Sequence, residues 1–376
     1  MEKTKVYLAT KVFREIADHP KVSEEKSNKI VELWKDLKET VDLHVSADRF
    51  PDKQYIEEEI NNWGAEIIGC HLSHPITADM LKDSNVYAVC TSTAGYNHIF
   101  MQPDVLITHT PGVLHRTVAD FTISVILANL RNLISLHNFV WDEKWKPGQK
   151  WDLDENLNST IDNKVLGIIG LGEIGKEIVK RLAPWGIQII YYDIEKQSDI
   201  ESEYENLSYV GSLESIFMNS DIVSIHVPLL PATRHIIGEK YLRLMKENAL
   251  LVNTARGPII HTEKLLDLLE KKEISINLAF DVYENEPILE ETLQRYKKIA
   301  EENPELRFIF IPHNASADAD TRAEMAIMTL EDIMTLAKAN SVEDLESLRL
   351  IPPQRYLYGG LDKKPDIENY RITKKW

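Results

Sequence analysis

Short apolar runs alternate with amphipathic stretches along most of the chain. In the second half the apolar runs occupy residues 164–169, 188–192, 221–227, 249–254, 275–281 and 307–311. The stretches between them, such as 239–244 and 263–271, repeat apolar positions at helical spacing. Strands buried on both faces of a parallel sheet are continuous apolar runs, so this half predicts a doubly wound α/β domain.

The first hundred residues repeat this alternation, with apolar runs at 6–10, 66–72, 87–91 and 105–108. A helix-like stretch at 117–132 follows Pro111 and Gly112, which mark a join. A further helical pattern at 323–334 returns the chain to the first domain. We therefore expect an α/β fold of two Rossmann-like domains. A dinucleotide-binding domain, residues 113–314, is inserted into a smaller flavodoxin-like substrate domain, residues 1–112 and 315–376.

A glycine motif, Gly170-Leu171-Gly172-Glu173-Ile174-Gly175, lies between the first strand of the second half and a helix. Alone, such a motif is weak, but here it occupies a strand-to-helix turn. Gly170 permits the tight turn, Gly172 lets backbone approach a pyrophosphate, and Gly175 allows close helix–strand packing. The helix N-terminus supplies amide donors, so we predict that a dinucleotide is bound by Gly170, Gly172, Glu173, Ile174 and Gly175.

The second strand of this half ends in Asp193, about 20 residues beyond the glycine motif, where an acid can bind the ribose hydroxyls of the cofactor. A carboxylate there repels a 2′-phosphate, so NAD is favoured over NADP, although Lys196 is close enough in sequence to offset part of that repulsion. The alternative interpretation of Asp193 is an ordinary turn residue.

Composition narrows the class of protein. The 376 residues carry a formal net charge of −17, with acidic residues spread along the chain, which disfavours nucleic acid or an anionic membrane as a partner. Only Cys70 and Cys90 are present, so we expect neither disulfides nor a metal site, and a cytoplasmic location. We identify no signal peptide and no membrane span.

Three polar residues each follow one of the expected strands. Arg256 lies in Asn-Thr-Ala-Arg-Gly, Glu286 directly precedes Pro287, and His313 follows Ile-Pro. Each alone has an ordinary explanation as a surface or structural residue. Because ligands of doubly wound sheets bind beyond the carboxyl ends of the strands, we expect the three side chains to lie close together at one site.

These contexts, in this order after the glycine motif, resemble the D-isomer-specific 2-hydroxyacid dehydrogenase family. The resemblance covers nearly the whole chain and includes the segment 110–113 with Ala119-Asp120 and the turn 226–229. It implies that Arg256 binds the substrate carboxylate and carbonyl, that His313 is the acid/base, and that Glu286 pairs with His313. An imidazole suits proton transfer to a developing alkoxide near neutral pH.

The resemblance implies further site residues. Backbone amides of Ala94 and Gly95 would bind the substrate carboxylate, and Asp281 would face the nicotinamide carboxamide. Other cofactor-lining residues would be His226, Val227, Pro228, Thr233, Thr254, Ala255 and His313 itself. In relatives, the segment matching 141–151 contributes to a dimer, so a homodimer is expected here, with a packed loop as the alternative.

The substrate is expected to be a small 2-oxo or 2-hydroxy acid. Polar residues near the substrate loop favour glyoxylate or hydroxypyruvate: His71, Ser73, His74 and Tyr96. Two alternatives stay open. One is a phosphoglycerate dehydrogenase-type enzyme, for which Arg116 or Arg131 would be basic candidates, and the other is a cofactor-sensing protein similar to the corepressors of this fold. Relatives that oxidise formate carry glutamine in place of Glu286, and relatives that oxidise phosphite place a lysine in the loop that matches 91–98, so the resemblance disfavours both activities here.

Overall fold

The computed structural model describes residues 3–355 and 369–376. The chain divides into two compact units, Met1–Leu114 with Ala317–Trp376, and His115–Ser316. We call them the discontinuous unit and the continuous unit. Both contain a parallel sheet, which confirms the predicted α/β fold class of two Rossmann-like domains.

The discontinuous unit has a five-stranded sheet in the order β2-β1-β3-β4-β5, the flavodoxin-like order. Its strands are β1 (Lys5–Leu8), β2 (Asp42–Val45), β3 (Ile67–Cys70), β4 (Ala88–Thr91) and β5 (Leu106–Thr108). Its first helices are α1 (Val12–Glu15), α2 (Glu24–Thr40), α3 (Lys53–Glu58) and α4 (Ala78–Lys82). After the continuous unit, the chain adds two more helices to this unit.

The continuous unit opens with α5 (His115–Leu130) and α6 (Leu133–Trp141). Its strands are β6 (Val165–Ile169), β7 (Gln188–Tyr192), β8 (Leu207–Tyr209), β9 (Ile222–Ile225), β10 (Leu250–Asn253), β11 (Asn277–Phe280) and β12 (Phe308–Phe310). Its remaining helices are α7 (Glu173–Leu182), α8 (Ser198–Glu203), α9 (Leu213–Asn219), α10 (Glu239–Leu242), α11 (Thr262–Glu270) and α12 (Glu290–Glu302). The last two helices of the chain, α13 (Ala319–Lys338) and α14 (Pro352–Arg355), belong to the discontinuous unit.

Strand order in the continuous unit determines where a ligand can bind. The seven parallel strands run β12-β11-β10-β9-β6-β7-β8, so the direction of strand progression reverses between β6 and β9. This is the switch point of a doubly wound sheet, and ligands bind beyond the carboxyl ends of its strands. Arg256, Glu286 and His313 follow the ends of β10, β11 and β12, respectively.

Apolar clusters cover both faces of each sheet. In the discontinuous unit, α2 and α13 bury Ile30, Leu37, Leu330 and Ile333 against one face, and α3 and α4 cover the other. In the continuous unit, α5 and α7 pack on one face, and α9 and α11 on the other. Burial of both faces explains why the strands are apolar runs without alternation.

None of the described helices is by itself long and apolar enough to cross a membrane. Helices α5 and α6 meet that test only as a pair, bent by 64° at the break between them.

Candidate active site

The glycine motif forms the turn between β6 and α7. Gly170 has φ of +92°, and a Cβ there would lie 2.8 Å from the carbonyl oxygen of His226. A Cβ on Gly175 would lie 2.6 Å from the Gly170 carbonyl oxygen, whereas one on Gly172 would meet nothing within 4 Å. Gly172 therefore borders open space at the N-terminus of α7, where Glu173 and Ile174 form the first turn. These residues fit a dinucleotide pyrophosphate.

Asp193 follows β7 and lies against the glycine motif. Its Oδ2 accepts the Leu171 amide at 2.7 Å, and its Oδ1 accepts the amide of Ile194 at 2.7 Å. The carboxylate is thus oriented beside the turn that would hold the pyrophosphate. Lys196, the residue that could offset repulsion of a 2′-phosphate, is paired with Glu201 at 3.0 Å. This arrangement favours NAD.

The turn after β9 is closed by side chains. His226 donates its amide to the Ile169 carbonyl at 2.7 Å, which brings this turn beside the glycine motif. Burial lowers the pKa of His226 to about 3, so its ring is neutral and Nε2 pairs with Ser224 Oγ at 2.7 Å. Thr233 Oγ1 donates to the Pro228 carbonyl at 2.6 Å and closes the turn over Val227 and Pro228.

Arg256 follows β10 in a turn that Asn253 holds. The Asn253 side chain accepts the Ala255 amide at 3.0 Å and donates to the Arg256 carbonyl at 3.0 Å. The guanidinium makes one hydrogen bond, to the Ala255 carbonyl at 2.6 Å, and no ion pair with any described residue. Burial lowers the pKa of Arg256, and the charge of Glu286 opposes that effect. Most guanidinium donors are therefore available for an anionic ligand.

Thr254 occupies a different environment from its neighbours in this turn. Its Oγ1 pairs with Thr122 Oγ1 of α5 at 2.9 Å, and the residue is 7% exposed. The hydroxyl is therefore used inside the unit, and a cofactor contact of Thr254 or Ala255 stays a prediction.

His313 and Glu286 form a hydrogen-bonded pair, with 2.7 Å between Nδ1 and Oε2. The other oxygen of Glu286 accepts the Tyr283 amide at 3.0 Å. Burial raises the pKa of Glu286, but the bond from His313, its charge and the Tyr283 amide outweigh burial and leave the pKa below its ordinary value. A carboxylate only accepts hydrogen bonds, so Nδ1 carries the hydrogen. Nε2 bonds to no described residue and is available for proton transfer.

Asp281 holds the loop that carries His313. Its Oδ1 and Oδ2 accept the amides of Asn314 and Ala315 at 2.6 and 2.9 Å, and the Asp281 carbonyl accepts the His313 amide at 2.8 Å. The side chain is 1% exposed, and burial raises its pKa. Sequence reasoning missed this structural role, and the expected contact of Asp281 with a nicotinamide stays a prediction.

The candidate substrate loop lies in the discontinuous unit, after β4. Thr93 Oγ1 donates to the Gly95 carbonyl at 2.6 Å, and His109 Nδ1 lies 2.8 Å from the Ala94 carbonyl. The amides of Ala94 and Gly95 have no partner among the described residues. Two neighbouring unpaired amides are a suitable site for a carboxylate. Within the described ranges, no group of three or more His, Cys, Asp or Glu side chains is arranged to hold a metal ion.

Similarity to known proteins agrees with these arrangements. The family model described as D-isomer specific 2-hydroxyacid dehydrogenase, NAD binding domain, matches residues 123–315. A protein named glyoxylate reductase from Thermofilum pendens is 33% identical over 339 residues, covering 84% of this chain and 94% of that protein. Another protein of that name, from Korarchaeum cryptofilum, is 31% identical over 332 residues, covering 86% and 92%.

A solved structure supports the fold. The crystal structure of a glyoxylate reductase from Paecilomyes thermophila has a TM-score of 0.74 to this chain at 24% identity, covering 94% of this chain and 100% of that one. The predicted family is confirmed by the family model and by the two relatives. The chain belongs to the D-isomer specific 2-hydroxyacid dehydrogenase family, enzymes that transfer a hydride between NAD and a 2-oxo or 2-hydroxy acid.

Proposed function

We propose that this enzyme reduces a small 2-oxo acid, with glyoxylate or hydroxypyruvate as the preferred substrate and NADH as the reductant. The observation that carries the proposal is the 2.7 Å pair of His313 and Glu286. The guanidinium of Arg256, which forms no ion pair with any described residue, is close enough for its charge to act on Glu286. The two relatives named glyoxylate reductase support the choice of acid.

The proposed mechanism assigns one task to each side chain. The glycine motif and Asp193 would hold NADH, which would supply a hydride to the carbonyl carbon of the acid. His313 donates a proton from Nε2 to the developing alkoxide, while Glu286 accepts from Nδ1 and stabilises the protonated ring. Arg256 binds the acid and stabilises negative charge on the reacting oxygen. In the direction of oxidation, neutral His313 removes the hydroxyl proton.

Ala94 and Gly95 are proposed to bind the substrate carboxylate through their unpaired amides. The carbonyls of both residues are already bonded, by His109 and Thr93, so the loop is held with its donors available. Backbone amides carry no net charge and bind any 2-oxo acid, so they do not select among substrates.

His71 favours a small substrate that has no charged group besides its carboxylate. It follows β3, and the loop of Ala94 follows β4, which pairs directly with β3. Burial lowers the pKa of His71 to about 3, and its Nδ1 accepts the Ser73 amide at 3.2 Å, so the neutral ring carries hydrogen on Nε2. Such a group can donate a hydrogen bond to a hydroxyl or carbonyl oxygen, but it has no positive charge to attract a phosphate. The neutral ring of His71 therefore favours glyoxylate or hydroxypyruvate over the phosphorylated acid of the phosphoglycerate alternative.

The test measures loss of NADH absorbance with glyoxylate, hydroxypyruvate, pyruvate, 2-oxoglutarate and phosphohydroxypyruvate. We expect turnover with one of the first two acids, weaker turnover with NADPH, and a kcat about 10²- to 10⁴-fold lower in His313→Ala. Turnover with phosphohydroxypyruvate alone would replace the proposal with the phosphoglycerate alternative. Tight NADH binding without turnover on any acid would contradict it and favour a cofactor-sensing protein.

We also propose that the enzyme is a homodimer joined through α6 and the segment that follows it. Large apolar side chains are exposed there, including Val140 at 54%, Trp141 at 77%, Trp145 at 51% and Leu153 at 94%. An exposed apolar surface of this kind is typical of a protein interface. Analytical ultracentrifugation should give a dimer, and Val140→Asp with Trp141→Ser should give a monomer. A wild-type monomer would contradict this proposal.

A cytoplasmic location is proposed because Cys70 and Cys90 are free and buried, as expected in a reducing compartment. Cell fractionation tests it, and recovery of the enzyme in an exported fraction would contradict it.

A further inference from the structure

A second histidine–carboxylate pair lies behind the candidate catalytic loops. His235 Nε2 is 2.6 Å from Glu284 Oε1, and Glu284 is two residues before Glu286. The other oxygen of Glu284 accepts the amide of Thr262, the first residue of α11, at 3.2 Å. Burial raises the pKa of Glu284, but its bonds with Thr262 and His235 outweigh burial and leave the pKa below its ordinary value. Glu284 is therefore a charged carboxylate that is held by hydrogen bonds with His235 and Thr262.

His235 is itself fixed to the segment that follows Arg256. Its amide donates to the Pro258 carbonyl at 2.8 Å, and its ring stacks on His261 with 4.5 Å between ring centroids. Next to it, Ile237 exchanges backbone hydrogen bonds with the same segment at 3.1 and 2.9 Å. A shift of His235 would therefore be transmitted to the turn of Arg256.

The turn of Arg256 also touches the loop of Glu286 directly. A Cβ on Gly257 would lie 1.8 Å from the carbonyl carbon of Tyr283, so the two backbones are in contact at this point. Behind the contact is a cavity of about 160 Å³, lined among others by Gly257, Thr262, Tyr283 and Glu284. Packing between the loops is incomplete at this cavity, so polar contacts contribute to their relative position.

We propose that His235 and Glu284 are positioning residues, which hold the Arg256 turn and the Glu286 loop in register without touching the substrate. The proposal rests on the catalytic roles assigned above to Arg256, Glu286 and His313. The pair connects three segments: the turn after β9, the start of α11 and the loop before Pro287. Displacement of a catalytic group by about 1 Å can cost a factor of about 100 in rate.

The test compares His235→Ala, Glu284→Ala and Glu284→Gln with a matched control. His44→Ala removes another histidine–glutamate pair, His44 Nδ1 with Glu59 Oε2 at 2.6 Å, in the discontinuous unit. We expect kcat to fall about 10- to 100-fold in the two alanine variants at positions 235 and 284, with NADH affinity and Tm close to those of His44→Ala. Glu284→Gln, which keeps one acceptor oxygen, should recover part of the loss.

A readout that does not need turnover separates this proposal from the proposed function. The Nδ1 proton of His313, bonded to Glu286, can be followed by NMR of ¹⁵N-histidine-labelled enzyme. We expect this signal to shift or exchange faster in His235→Ala and to be unchanged in His44→Ala. Wild-type kcat and signal both retained in His235→Ala would overturn the positioning role. Absence of wild-type turnover would count against the proposed function, and the NMR comparison would then decide the positioning role.

Discussion

Two acidic side chains at the candidate site hold loops in place by accepting hydrogen bonds from backbone amides. Asp193 binds the glycine motif at Leu171, and Asp281 binds the two amides that follow His313. The sequence could supply Arg256, Glu286 and His313, because each stands in a recognisable local context. It could not supply the partners of Asp281, which are 33 and 34 residues away and meet it only because β11 and β12 are neighbours.

Glu286→Gln should change the pH dependence of catalysis more than substrate binding. The pKa of Glu286 is lowered, so its carboxylate is charged throughout the neutral range and stabilises a protonated His313. Glutamine can still accept from Nδ1 but has no charge. We expect the loss of reductive kcat/KM with rising pH to begin about 1 pH unit lower in the variant. The profiles are measured with NADH and the preferred acid. Superimposable pH profiles for the wild type and Glu286→Gln would contradict an electrostatic role of Glu286.

At the scale of elements, apolar runs predicted the strands that are buried on both faces. Several elements were missed, and for β2, β8 and α2 the reason can be identified. Strand β2 is an edge strand whose residues are only partly buried, and β8 has three residues at the other sheet's edge. Helix α2 buries only Ile30 and Leu37 over 17 residues, so its apolar face is too narrow to stand out from the polar positions. Hydrophobic periodicity detects burial, and these elements have little of it.

Two alanine substitutions in the glycine motif should affect different properties, NADH affinity in one variant and stability in the other. Gly172→Ala fits the folded chain, because its Cβ would meet nothing within 4 Å, but it would occupy space that the pyrophosphate needs. We expect normal Tm and NADH affinity at least about tenfold lower. Gly175→Ala would press on the Gly170 carbonyl at 2.6 Å and should destabilise the continuous unit by about 1–3 kcal/mol.

Calorimetry and NADH fluorescence titration of both variants check this prediction. Equal losses of stability in the two variants, or full NADH affinity in Gly172→Ala, would show that the motif is only a structural turn.

At the scale of the molecule, each unit has its own sheet and core, and the discontinuous unit contains an ion pair in its interior. Asp332 of α13 is 2% exposed and lies 2.8 Å from Arg349. Burial raises the pKa of Asp332 to about 6, and the attraction of Arg349 only partly opposes this. Arg349 has a second carboxylate partner, Glu331 at 2.7 Å, so it stays charged in either state of Asp332.

This burial makes the stability of the discontinuous unit depend on pH. The folded state binds a proton on Asp332 more tightly than the unfolded state, so the free energy of unfolding falls as pH rises from about 4 to about 6. The contribution is about 3 kcal/mol for a pKa raised from 3.8 to about 6. Asp332→Asn should flatten this part of the curve in urea denaturation. Parallel curves for wild type and variant would contradict the prediction.

His313 has a backbone conformation that most residues avoid, with φ of +49°. A left-handed conformation costs an ordinary side chain about 1–2 kcal/mol, and asparagine tolerates it better than histidine. We expect His313→Asn to be inactive yet to unfold at a Tm equal to or above that of the wild type, and a lower Tm would contradict this. Laboratory selection for heat resistance alone would therefore allow replacement of His313 by asparagine. Histidine would be kept at this position only if the selection also required turnover.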